Sequence, residues 1–177
     1  MTKKQSETLM KAALREAQRG MSAGEAPIGC VIAVRSGRRY RIVARGYNTV
    51  NASQRKIAHA ENVTFEHASR RDKRGRPALS LSARNVVLVS TLEPCVMCLG
   101  AAMEAGIDCI VYGLRAPADN GTERVKPPRS PESSNPVIKG GVLASESREL
   151  FVKWLSLNEG TEQAKFVRQL LKSTASH

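Results

Sequence analysis

Residues 85–113 read NVVLVSTLEPCVMCLGAAMEAGIDCIVYG, and the order of elements in this stretch fixes the kind of fold. Asn85 to Ser90 is an unbroken apolar run of strand length, too short for a helix. Its lack of alternation predicts a central strand covered on both faces. Pro94 then opens a helix from Cys95 to about Ala105, as proline does at a first turn, and Gly106 closes it. Ile107 to Tyr112 supplies a second strand. A strand, a helix and a strand in this order imply a parallel crossover.

Working outward from that unit, Pro27 to Val34 reads as a buried strand, Ser36-Gly37 as a turn and Tyr40 to Ala44 as its antiparallel partner. Ser6 is expected to cap a helix running to about Arg19, with Leu9, Ala13, Leu14 and Ala17 at helical spacing. Ala60 to about Arg70 suits a helix with His59 at its start. The segment Arg70 to Pro77 holds five basic residues and reads as a solvated loop. Ala116 to Pro136 carries five of the eight prolines and is expected to be a long functional loop. Val137 to Leu143 reads as a short edge strand, Ser145 caps a helix through Phe151 and Trp154, and Thr161 starts a last helix. These elements predict one domain over 1–177, an α/β fold. It is a three-layer α/β/α sandwich with a mixed sheet of about five strands, followed by a C-terminal helical segment at 145–177.

Charge and chemistry narrow the function. Lys plus Arg number 28 against 16 Asp plus Glu, a net charge of +12, which favours an anionic partner without choosing one. The residues from Met1 to Glu7 lead into a helical pattern, and no apolar stretch is long enough for a bilayer, so a cytoplasmic protein without a membrane partner is expected. Two of the four cysteines form Cys95-x-x-Cys98, a spacing for metal or redox chemistry in a reducing compartment. With Ala58-His59-Ala60-Glu61 it completes the pattern H-x-E…P-C-x-x-C of zinc nucleobase deaminases. Two thiolates and an imidazole give zinc three ligands, and a fourth position left to water marks a catalytic rather than a closed site. Glu61 lies two residues from His59, about 200° round a helix, so it is read as the acid and base rather than as a ligand. Read singly, the cysteines could be a redox pair, His59 a helix terminus and Glu61 a surface carboxylate. Their joint order argues against coincidence. Cys30 and Cys109 sit in apolar strand-like runs as buried thiols, and His67 reads as a helix-surface histidine.

The segments Ala58 to Glu61 and Thr91 to Cys98 with Gly100-Ala101 resemble the cytidine deaminase superfamily, in its tRNA-adenosine and guanine deaminase branch. Glu25-Ala26-Pro27-Ile28-Gly29, Gly46-Tyr47-Asn48, Ile110 to Gly113 and Gly140 to Ala144 extend the likeness over most of the chain. The resemblance implies one zinc per subunit on His59, Cys95 and Cys98, and Glu61 as proton shuttle. It also implies substrate contacts at Asn48, Ile28, Ala58 and Pro94, and a homodimer. Two segments depart from that pattern: Ala116 to Thr122 after the second crossover strand, and Arg55-Lys56-Ile57 before the histidine motif. Three functions follow: deamination of adenosine in tRNA, deamination of free nucleosides or bases, and silent nucleic-acid binding. The presence of Glu61 argues against the last. With three Phe, three Tyr and one Trp, RNA contact would be mostly through phosphate.

Overall fold

A computed structural model describes residues 1–71, 73–80, 83–127, 129 and 133–174. The elements run α1 (Lys3–Ser22), β1 (Gly29–Ser36), β2 (Arg39–Tyr47), α2 (Val50–Ser53), α3 (Ala60–Ser69) and β3 (Val86–Leu92). They continue with α4 (Val96–Glu104), β4 (Cys109–Leu114), β5 (Val137–Lys139), α5 (Ala144–Leu157) and α6 (Glu162–Ser173). The sheet has five strands in the order β2-β1-β3-β4-β5. β1 is antiparallel to both β2 and β3, whereas β3, β4 and β5 are parallel. The expected sandwich with β3 at its centre is therefore the observed fold. Asp72, Pro128 and Pro131, within the expected basic and proline-rich loops, lie outside the described residues.

Several boundaries differ from the expected ones, each for a local reason. α1 starts earlier because Thr2 and Gln5 form a reciprocal capping box, while Ser6 sits buried inside the helix and donates to the Lys3 carbonyl at 2.8 Å. β2 runs on to Tyr47 because pairing with β1 continues to the Gly29–Tyr47 register. Cys95, not Pro94, borders α4: it is the N-cap with extended backbone, so Pro94 lies outside the helix. β5 stops at Lys139, and Leu143 rather than Ser145 caps α5 from the left-handed region, at φ 52°.

The apolar run of β3 divides its residues between two layers. Val86 and Leu88 pack with Cys30, Ile32, Leu99, Ala102 and Ile110 on the α3 and α4 side. Val87 and Val89 pack with Met10, Ala13, Val31 and Val111 on the α1 side. Both faces of the strand are apolar because both are covered. At Gly29 a Cβ would stand 2.2 Å from the Ala13 carbonyl oxygen and 2.3 Å from the Ala17 nitrogen. Only glycine lets α1 lie this close to the start of β1. A third cluster ties the C-terminal helices to the ends of β3 and β4 through Leu92, Leu114, Phe151, Trp154, Ala164, Val167 and Leu170. Trp154 is 1% exposed at its centre. Trp154→Ala is expected to lower stability by about 3–5 kcal/mol, read as a melting shift of roughly 10 °C. A smaller shift would mean that α5 and α6 are only loosely attached.

Candidate active site

The site forms where β3 ends and the chain turns into α4, at the carboxyl ends of the parallel strands, the usual position for a ligand in an open α/β sheet. Cys95 caps α4 and Cys98 lies in its first turn, so the two sulfurs stand 3.5 Å apart on one side. His59 is the extended N-cap of α3, and its Nδ1 is 3.6 Å from each sulfur. Because His59 is off the helix, the angular argument separating it from Glu61 does not apply. The separation comes instead from Glu61 entering α3 and turning into the protein. Glu61 is 3% exposed, accepts a hydrogen bond from Ser90 Oγ at 2.7 Å on Oε1, and holds Oε2 3.3 Å from Cys98 Sγ.

His59, Cys95 and Cys98 are the residues, among those described, whose donor atoms gather closely enough to hold a metal. A tetrahedral zinc with ordinary bond lengths separates two sulfurs by about 3.8 Å and a nitrogen from a sulfur by about 3.6 Å. The observed edges of 3.5 and 3.6 Å match that triangle. Electrostatics agree with the geometry. The hydrogen bond from Cys98, and then His59, draws the Cys95 thiol down to about 4 against the effect of burial. The hydrogen bond to Cys95, followed by burial, pushes the Cys98 thiol far up. Burial raises the Glu61 carboxyl despite the Ser90 hydroxyl. Hydrogen bonding to Cys95 raises the His59 imidazole. A divalent cation at the triangle would supply the positive charge that holds both cysteines as thiolates.

A cavity of about 240 Å³ opens onto these groups. Ile28, Val50, Leu92 and Phe166 form apolar wall, with Asn48, Lys56, Asp119 and Gln163 as polar members. Of the expected substrate contacts, Asn48 and Ile28 line it. Ala58 and Pro94 do not: Ala58 exchanges backbone hydrogen bonds with Arg55 and Thr49, and Pro94 accepts one from Gly121. His67 is half-buried, with Nδ1 2.6 Å from the Arg45 carbonyl oxygen, which binds α3 to β2.

Two buried carboxylates that sequence reading passed over hold the walls in place. Glu25, fully buried, accepts from Asn48 Nδ2 at 3.0 Å and from the backbone N–H groups of Asn51 and Ala52 at 3.1 and 2.7 Å. Glu93 accepts from the Ala116 N–H at 2.8 Å and from the Thr122 hydroxyl. The first part of the expected long loop is therefore clamped beside Cys95, where the Gly121 N–H also bonds the Pro94 carbonyl at 2.8 Å. The usable signal was an acid next to an apolar strand, as in Glu25 before Gly29 and Glu93 after Leu92. Gln163 and Phe166 carried no such signal.

Residues 3–114 match the model of the cytidine and deoxycytidylate deaminase zinc-binding region. The chain is 30% identical over 165 residues to the tRNA-specific adenosine deaminase of Streptococcus pyogenes, covering 92% of this chain and 90% of that one. It is 34% identical over 113 residues to the Bacillus subtilis protein of the same name, 64% of each chain. A structure from work on A-to-I editing by tRNA deaminases at the wobble position of transfer RNA superimposes with a TM-score of 0.63 at 28% identity. That match covers 81% of this chain and 98% of the other. A guanine deaminase from Nitrosomonas europaea shares the fold, with a TM-score of 0.61 at 21% identity over 85% and 84% of the two chains. The matched region contains both metal motifs and the acid between them, so this chain belongs to the cytidine deaminase superfamily, on its tRNA adenosine deaminase branch, and is a hydrolytic deaminase.

Proposed function

We propose that the protein is a zinc-dependent deaminase that converts adenosine to inosine in tRNA, with His59, Cys95 and Cys98 as ligands and Glu61 as proton shuttle. The observation carrying this reading is the close ligand triangle with Glu61 Oε2 beside it, at the floor of a cavity of about 240 Å³. Zinc, when bound, would lower the pKa of a coordinated water to about 7. Glu61 takes a proton from the attacking water at Oε2 and gives it to the ring, then takes the proton of the resulting hydroxyl and gives it to the departing amine; its buried setting favours the protonated form needed for each donation. Ser90 fixes the carboxylate by its bond to Oε1. Asn48 commits its Nδ2 to Glu25 and so leaves its oxygen to accept a base N–H. Water replaces the amine, and the products are a carbonyl and ammonia.

The tRNA part of the reading rests on the named relatives and on the net charge of +12, with Lys56 at the cavity. No helix among the described residues is long and apolar enough to cross a membrane. A cytoplasmic homodimer belongs to the same proposal; Ile57, two residues before His59, and Val96, next to Cys95, are exposed apolar residues suited to a subunit contact. Free bases or nucleosides are the second reading, favoured by the wall that α6 contributes to the cavity. The test is inosine formation in an unmodified anticodon stem-loop, beside ammonia release from free adenosine, adenine, guanine and cytosine. Turnover of RNA is expected, with affinity falling at least about tenfold between 50 and 200 mM salt as phosphate contacts are screened. Turnover of free compounds alone would reject the tRNA assignment.

A further inference from the structure

The cavity is closed on one side by a helix that lies outside residues 3–114, the part matched to the deaminase zinc-binding region. α6 packs into the core through Ala164, Val167 and Leu170, and this anchoring places Gln163 and Phe166 at the cavity wall. Phe166 also borders a second cavity of about 280 Å³, which shares Asp119 with the first and continues along Ala116, Ala118, Gln169 and Leu170. A nucleotide with its base over Glu61 and its sugar leading outward would therefore pass the Phe166 ring.

Gln163 is held by a chain of hydrogen bonds that begins at Glu25, the residue that also orients Asn48. Glu25 binds the Asn51 N–H, and Asn51 Oδ1 accepts from Gln163 Nε2 at 2.9 Å. Asn51 Nδ2 is committed to the Gly24 carbonyl, at 3.2 Å, so its Oδ1 can serve only as an acceptor. That choice fixes the Gln163 amide: its nitrogen faces Asn51, and its Oε1 is a buried acceptor with no partner among the described residues. An unmet acceptor at the edge of a binding cavity is costly unless a ligand supplies a donor.

Resting on the deaminase reading above, we propose that Gln163 and Phe166 are the specificity residues of the site, Phe166 packing against the base and Gln163 accepting from an N–H on its edge. The two act from one rigid helix. Asn48 and Gln163, tied to the same carboxylate, then read the base as a coupled pair. The proposal gives α6 a role that the metal motifs do not contain, and it accounts for Gln163 Oε1, an acceptor left without a partner among the described residues.

The test measures kcat and KM separately for Phe166→Ala, Phe166→Leu, Gln163→Leu and Gln163→Glu, on the substrate that the wild-type protein turns over. Zinc content and melting temperature are followed in each, with equilibrium binding of the deaminated product as a readout independent of turnover. Phe166→Ala is expected to raise KM and weaken product binding about tenfold or more, as loss of a stacking ring does, with kcat less affected. Phe166→Leu keeps the bulk that supports α6 and should fall between. Gln163→Leu should lose selectivity between bases that differ in edge donors, and Gln163→Glu, which keeps an acceptor but loses the Nε2 donor to Asn51 Oδ1, should restore only part of it. Unchanged KM and product binding in zinc-loaded, folded variants would overturn the proposal. A wild-type protein that deaminates none of the panel would instead overturn the deaminase reading, and the assignment of α6 with it.

Discussion

Glu61→Gln is expected to lower the deamination rate by about 10²–10⁴-fold while leaving zinc content and melting behaviour close to those of the wild type. The carboxylate lies outside the triangle formed by His59, Cys95 and Cys98, so replacing it removes no metal donor. The amide has nearly the same shape and still presents an oxygen to the Ser90 hydroxyl, which now donates to Oε1 at 2.7 Å. What disappears is the ability to take a proton and return it. Two proton transfers use the same group, one toward the ring and one toward the departing amine, so neither half of the reaction is spared. Burial also turns from a cost into a neutral factor, since Gln has no charged form to desolvate. The measurement is a single-turnover rate alongside metal analysis of the same preparation. A variant with full zinc and undiminished rate would remove Glu61 from the proposed chemistry. A variant that lost zinc would instead make it part of the metal site.

How much of this was legible in the sequence depends on how local each signal was. The motif His59-x-Glu61 and the pair Cys95-x-x-Cys98 are local, and β3 read as a central strand because Val86 to Val89 are apolar on both faces. The union of the two motifs was inferable from chemistry, and the fold brings them together by starting α3 and α4 at the same end of the sheet. Helix starts were less legible. Thr2 outcompeted Ser6 because its partner Gln5 completes a capping box, and Cys95 displaced Pro94 because the extended conformation of the cap precedes the first helical residue. Glu25 and Glu93 stand beside apolar strands, which marks them for burial, but their partners, backbone N–H groups with Asn48 and Thr122, lie more than twenty residues away and leave no local pattern. Gln163 lay further still from any signal. It bonds Asn51 across 112 positions, a contact set by how α6 docks on its apolar face.

Cys98→Ala should abolish both zinc retention and activity. Cys98 is fully buried in the first turn of α4, and its sulfur forms two edges of the donor triangle, at 3.5 and 3.6 Å. Removing it leaves His59 and Cys95, two donors where a catalytic zinc needs three from the protein. No other described residue stands ready to substitute: Glu61 Oε2 is near, but Ser90 and the wall of α3 hold that carboxylate toward the interior. Alanine is a good helix former, so α4 should persist, and the small void left by one sulfur should cost little. The expected preparation is therefore folded, below one tenth of the wild-type zinc content and inactive, with a melting temperature near that of chelator-treated wild type. Added zinc should restore activity to the chelated wild type and not to the variant. That contrast separates loss of a ligand from general damage, because a merely destabilised protein would regain metal and turnover in excess zinc. Full zinc content in Cys98→Ala would dismantle the proposed ligand set, and with it the argument that Cys95 and Cys98 are spaced for a metal rather than for exchange of electrons.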